Sequence, residues 1–113
     1  MSEAIDRDVA HLNPAMQAAL KALQEIRDDF IVCETRRSYN RQLEMLKSGK
    51  SKNLHSLHLT GAACDIMPKG GYDKWDAKEW QLLHDEWDAT VISQGHVPEK
   101  RISWDLAHLG IKE

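Results

Sequence analysis

The sequence predicts an α+β domain, with helices packed on a small, mostly antiparallel sheet. Three observations carry this expectation. Two segments show helical periodicity behind clear capping signals. Short runs of β-formers separate the helices, each too short to be a helix itself. No internal repeat or low-complexity linker interrupts the 113 residues, so one domain over residues 1–113 is expected.

The first helix begins at Asn13, a good cap, followed by Pro14 at the first helical position. Met16, Leu20 and Leu23, then Ile26 or Arg27, recur at helical spacing. Phe30 to Cys33 reads as a buried strand. Ser38 caps a short helix that carries Leu43 and Leu46 and stops at Gly49. Ser48 to Leu57 reads as a loop. Gly61 to Met67 reads as a second strand, ended by Pro68 and the Gly70-Gly71 turn.

The next helix has the best start signal. Asp76 and Glu79 form a capping-box pattern, and Trp75 with Trp80 suits a hydrophobic staple. Trp80, Leu83, Trp87 and Val91 share one face, and Gly95 closes the helix. His84 falls off this stripe and is expected to be exposed. Ile102 to Trp104 reads as a last short strand.

Composition narrows the function classes. The 15 Lys and Arg against 18 Asp and Glu give a net charge of −3, which disfavours a nucleic-acid partner. The basic stretch from Lys47 to Lys52 lies in Gly/Ser context and reads as a solvated loop. No run of apolar residues is long enough to span a membrane. The first residues lack the basic start and apolar centre of a secretory signal, so synthesis in a cytoplasm is expected. Cys33 and Cys64 lack metal-binding or disulfide-framework spacing and are expected to be buried free thiols.

The chemistry-bearing residues are histidines and carboxylates. His58 and Asp65 are seven positions apart, with Gly61 between them. Asp105 and His108 are three apart. Two histidines and one aspartate suit zinc and leave a fourth position open, as catalytic sites do. Asp105, one short turn before His108, is placed for a general base. His55 competes weakly as a ligand, because no motif supports it. His11 reads as a surface residue, and His96 as a loop residue.

The run from Ser56 to Asp65, SLHLTGAACD, resembles the SxHxxGxAxD motif of the M15 zinc peptidases. Trp104 to His108 resembles that family's second motif. Thr35-Arg36-Arg37-Ser38, Gln42 and Gly49-Lys50-Ser51 are similar to its upstream run. The resemblance implies a single-domain DD-peptidase or hedgehog-like fold and one zinc ion per chain. It implies His58, Asp65 and His108 as ligands, Asp105 as catalytic acid/base and Arg37 as the holder of the substrate carbonyl. Arg36 competes for that last role. In an extended segment only one of the two arginines faces the cleft, and Arg37 beside Ser38 matches the motif better. Ser56 would support the metal loop, Gly61 would permit a tight turn, and Trp104 would lie near the cleft. The run from His96 to Trp104 departs from the family pattern, as does Leu109 after His108.

The implied activity is hydrolysis of a stem-peptide bond in bacterial peptidoglycan, with L-alanyl-D-glutamate as the expected bond. The expected setting is that of a phage endolysin, a monomer without a cell-wall-binding domain, made in the host cytoplasm and acting on the wall after release. Two alternatives stand beside it. One is a D-alanyl-D-alanine carboxypeptidase. The other is a non-catalytic module, zinc-stabilised, serving a phage particle or binding the wall.

Overall fold

The computed structural model describes residues 5–49 and 56–113. Helix α1 spans Pro14–Ile26, strand β1 Phe30–Glu34, helix α2 Tyr39–Lys47, strand β2 Ala63–Pro68, helix α3 Ala77–Ser93 and strand β3 His108–Gly110. A single-turn 3-10 helix, Leu57–Thr60, leads into β2. The architecture is α+β, as expected. Lys50, Ser51 and His55, each singled out in the sequence, lie outside the described residues.

The caps form as the sequence dictates. Asn13 accepts from Met16 N, Ser38 from Arg41 N and Asp76 from Glu79 N. Trp75 and Trp80 meet edge to face with centroids 4.8 Å apart. Met16, Ala19, Leu20 and Leu23 form the buried stripe of α1. Ile26 is exposed, and Arg27 turns inward in its place. Its guanidinium bonds Asp29 at 2.8 Å and Glu86 at 3.1 Å and lies over the Trp75 ring. A long cation can bury its stem while its head stays paired.

The sheet has the order β1-β2-β3, and both pairings are antiparallel. Side chains alternate across it. Cys64 and Ile66 of β2 and Leu109 of β3 point to one face, where Leu20, Leu23, Leu83, Trp87 and Val91 of α1 and α3 complete the core. Asp65 and His108, directly opposed in the register, point to the other face. Along β1 the register shifts between Val32 and Glu34, so one extra residue, Cys33, is accommodated. This bulge brings Glu34 opposite Asp65. Both cysteines are free. Cys64 is buried, but Cys33 at the bulge is only half-buried.

Besides the exposure of Cys33, two expectations need correction. Ile102 to Trp104 is not a strand. It forms a turn, in which Asp105 N donates to Ile102 O at 3.1 Å. The free edge of β2 is taken by His108–Gly110 instead, so β-propensity at Ile102 finds no partner strand. His108 therefore opens the last strand rather than following it. His84 is buried, not exposed, and bonds the Leu106 carbonyl at 2.8 Å. The loop before β3 folds back over α3 there, tied further by Arg101 to Asp88 at 2.8 Å.

Gly61 ends the 3-10 turn with φ +75°, and an added Cβ would lie 2.9 Å from His11 O and 3.0 Å from Asn13 N. Gly49 has a similar φ of +77° but open space around it. Gly61→Ala should therefore cost more stability than Gly49→Ala. The left-handed backbone alone is worth about 1–2 kcal/mol at either position, and Gly61→Ala adds the overlap with α1's approach. Chemical denaturation of both variants checks this, and equal losses would contradict it.

Candidate metal centre

Three elements deliver the three side chains. His58 comes from the 3-10 turn, Asp65 from the centre of β2 and His108 from the start of β3. Their nearest ligand atoms all lie within 4.8 Å of one another. Asp65 Oδ1 is 3.2 Å from His58 Nε2 and 3.6 Å from His108 Nδ1. The imidazoles meet edge to face with centroids 5.1 Å apart. Ligands about 2.0–2.1 Å from a tetrahedral zinc stand about 3.3 Å from each other, so this donor set fits the ion's size.

The outer nitrogens are already committed. His58 Nδ1 donates to the Thr35 carbonyl at 2.8 Å, which leaves Nε2 with its lone pair facing Asp65. His108 Nε2 bonds Glu99, which leaves Nδ1 facing the same point. Metal-binding histidines are held in this way, with the far nitrogen fixed by an acceptor. The His58 turn is itself clamped. Ser56 Oγ accepts from His58 N at 3.3 Å, and Arg37 N donates to the His58 carbonyl at 2.8 Å.

Arg37 is 5% exposed, whereas Arg36 faces outward. The Arg37 guanidinium donates to Gln42 Oε1 and Glu34 Oε1, both at 2.7 Å, and lies 3.5 Å from Asp65 Oδ2. It thus braces the outer oxygen of Asp65 while the inner one faces the histidines. Arg36 lines an adjoining cavity of about 520 Å³ with Arg37, Arg41 and Tyr39.

Asp105 lines a groove of about 400 Å³ with Tyr72, Trp80, Ser103, Trp104, Leu106 and Ala107. Trp104 is 52% exposed at this groove. No hydrogen bond among the described residues holds the Asp105 carboxyl. Burial, together with the charge of Asp65, pushes it above the ordinary carboxylate range, against the opposing pull of His108, His58 and Arg37. A carboxyl shifted toward neutrality is suited to taking and returning a proton.

Glu34, which holds Arg37, carried no sequence signal, and neither did Glu99 and Tyr72. Glu99 stands in the run from His96 to Trp104, which departs from the family pattern. Tyr72 follows the Gly70-Gly71 turn and reaches the Asp105 groove only because β2 ends there.

Among solved structures, the chain is similar to the crystal structure of the Serratia marcescens L-Ala D-Glu endopeptidase ChiX. The two share 25% identity with a TM-score of 0.76, over 92% of this chain and 83% of that one. No protein-family model matches the chain, and no curated protein sequence matches it.

The charges make the metal-free chain sensitive to pH. Burial disfavours a charged His108, but Asp65 and Glu99 outweigh it and raise the imidazole from 6.5 to about 9. Its contribution is complete below the unfolded value of 6.5 and lost as pH rises through about 9. Burial would raise Asp65, but the two imidazoles reverse this and hold it well below the carboxylate range. Its contribution is complete above 3.8 and lost as pH falls. In chelator-treated protein both contributions are complete between about pH 4 and 6.5, and His108 should give up on the order of 1–3 kcal/mol by pH 9.5, offset in part by His84, whose burial holds its imidazole below the ordinary value. Thermal unfolding across that range checks this. A midpoint that does not fall between pH 6.5 and 9.5 would contradict it.

Proposed function

We propose that the chain is a zinc peptidase that cleaves a peptide bond in the stem of bacterial peptidoglycan, with L-alanyl-D-glutamate as the bond. The observation that carries this reading is the His58–Asp65–His108 cluster, with its outer nitrogens committed and a shifted carboxyl, Asp105, in the adjoining groove. The likeness in fold to an L-Ala D-Glu endopeptidase supports the substrate class. In this reading the chain acts as a phage endolysin, a monomer made in the host cytoplasm that reaches the wall after release.

His58 Nε2, Asp65 Oδ1 and His108 Nδ1 would hold the ion. Zinc so held would act as a Lewis acid, making a water molecule acidic enough to ionise near neutral pH. Asp105 takes the proton of the attacking water and returns it to the leaving amine. Its raised affinity for a proton suits both halves of that exchange. Arg37 supplies a fixed positive charge toward the oxygen of the scissile carbonyl as negative charge grows there. Glu34 and Gln42 keep it from moving as that happens. Ser56 keeps the His58 turn in register, and Trp104 forms a wall of the groove that receives the peptide.

Mass spectrometry of fragments released from purified sacculi tests the bond. L-alanyl-D-glutamate cleavage leaves new D-glutamyl amino termini and L-alanyl carboxyl termini. Free D-alanine would indicate a carboxypeptidase, and no release with zinc present would sink the enzymatic reading.

Asp105→Asn separates an enzyme from a zinc-stabilised binding module. The fold and bound zinc should survive, while kcat falls by about 10²–10⁴-fold, which is about 3–5 kcal/mol of barrier. The loss should appear in kcat rather than in KM, because the proton moves only in the transition state. Steady-state kinetics on a stem peptide, with metal analysis of the same sample, checks this. Near-full activity with zinc retained would remove Asp105 from the mechanism.

A further inference from the structure

Glu99 belongs to none of the motifs that carry the family resemblance and to none of the ligand positions. Its carboxylate nevertheless bonds His108 Nε2. The backbone on either side is pinned to β3 and the residues after it. Glu99 N donates to Gly110 O at 3.0 Å, Pro98 bridges to Ile111, and Lys112 N donates to Val97 O at 2.8 Å. The segment thus runs alongside β3, with Glu99 level with Gly110.

Gly110 and His108 share the site face of the sheet, two residues apart. A Cβ built on Gly110 would fall 2.3 Å from Glu99 Oε1 and 3.2 Å from Glu99 Cβ. Any side chain at position 110 would therefore occupy the path that Glu99 takes to His108. The glycine is needed here for space, since its backbone does not take a left-handed conformation. The Glu99 carboxylate is an acceptor only. It makes Nε2 the protonated nitrogen of the neutral ring and leaves the lone pair on Nδ1. Nδ1 is the atom that faces Asp65 Oδ1, at 3.6 Å.

We propose that Glu99 is a positioning residue that fixes the tautomer and ring orientation of His108 and thereby sets the metal affinity of the site, with Gly110 as the gap that admits it. This rests on the reading of His58, Asp65 and His108 as zinc ligands. The matching partner of His58 is the backbone carbonyl of Thr35, which no substitution removes. Glu99 is thus the side-chain half of the arrangement and the half open to test. Partners of this kind are typically worth about 10–100-fold in metal affinity.

The test is zinc affinity, measured by competition with a chromophoric chelator, for wild type, Glu99→Ala, Glu99→Gln and Gly110→Ala. Cobalt(II) absorption spectra of the same proteins report the geometry. Glu99→Ala should weaken zinc binding by about 10–100-fold. Glu99→Gln, whose amide oxygen still accepts from Nε2, should recover part of that loss and keep the wild-type cobalt spectrum. Gly110→Ala, which displaces the Glu99 carboxylate, should resemble Glu99→Ala. Glu99→Ala binding zinc within twofold of wild type would overturn the proposal, as would equal losses in Glu99→Gln and Glu99→Ala. A wild-type chain that binds no zinc would overturn the ligand assignment itself, a result distinct from any difference among the Glu99 variants.

Discussion

The site depends on the register of a three-stranded sheet. Asp65 lies on the central strand, and the antiparallel pairing sets His108 directly across from it on one side. The bulge at Cys33 sets Glu34 across from it on the other. Slipping either pairing by one residue would send the side chains to opposite faces. The core on the far face guards against that slip. Cys64, Ile66 and Leu109 must stay against α1 and α3, so Asp65 and His108 must stay together. The packing that holds the fold is thereby the packing that holds the cluster.

Around Asp65 the polar groups form one connected set. Its inner oxygen serves the two imidazoles and its outer one approaches Arg37, which in turn is held by Glu34 and Gln42. A buried charge without such partners would cost several kcal/mol. The two Nη atoms of Arg37 are paired while its buried Nε has no partner, so the network fixes the shape of the site more than it adds stability. That fixed shape keeps the three donor groups from His58, Asp65 and His108 together.

Local chemistry made much of this readable in advance. The Asn13-Pro14, Ser38 and Asp76 caps depend on neighbours three residues away, and each forms where the sequence puts it. His58 and Asp65 could be grouped by their short spacing, and His108 joined them through the ordered motifs of the family resemblance. The failures are all non-local. Ile102 to Trp104 has the propensity of a strand, but His108–Gly110 takes the edge available to it. His84 looks exposed on its own helix, and only the return of the Leu106 loop buries it. Glu99 is nine positions from His108, a separation with no periodic meaning. It reaches the ring through a glycine on a neighbouring strand.

We propose that sheet register assembles one metal site from His58, Asp65 and His108. X-ray absorption at the zinc edge tests it most directly on purified protein loaded with one equivalent of zinc. The expected result is a shell of nitrogen and oxygen at about 2.0–2.2 Å, with multiple scattering from two imidazoles and no sulfur. A sulfur shell at about 2.3 Å, which would bring Cys33 or Cys64 into the coordination, would contradict it, as would scattering from a single imidazole.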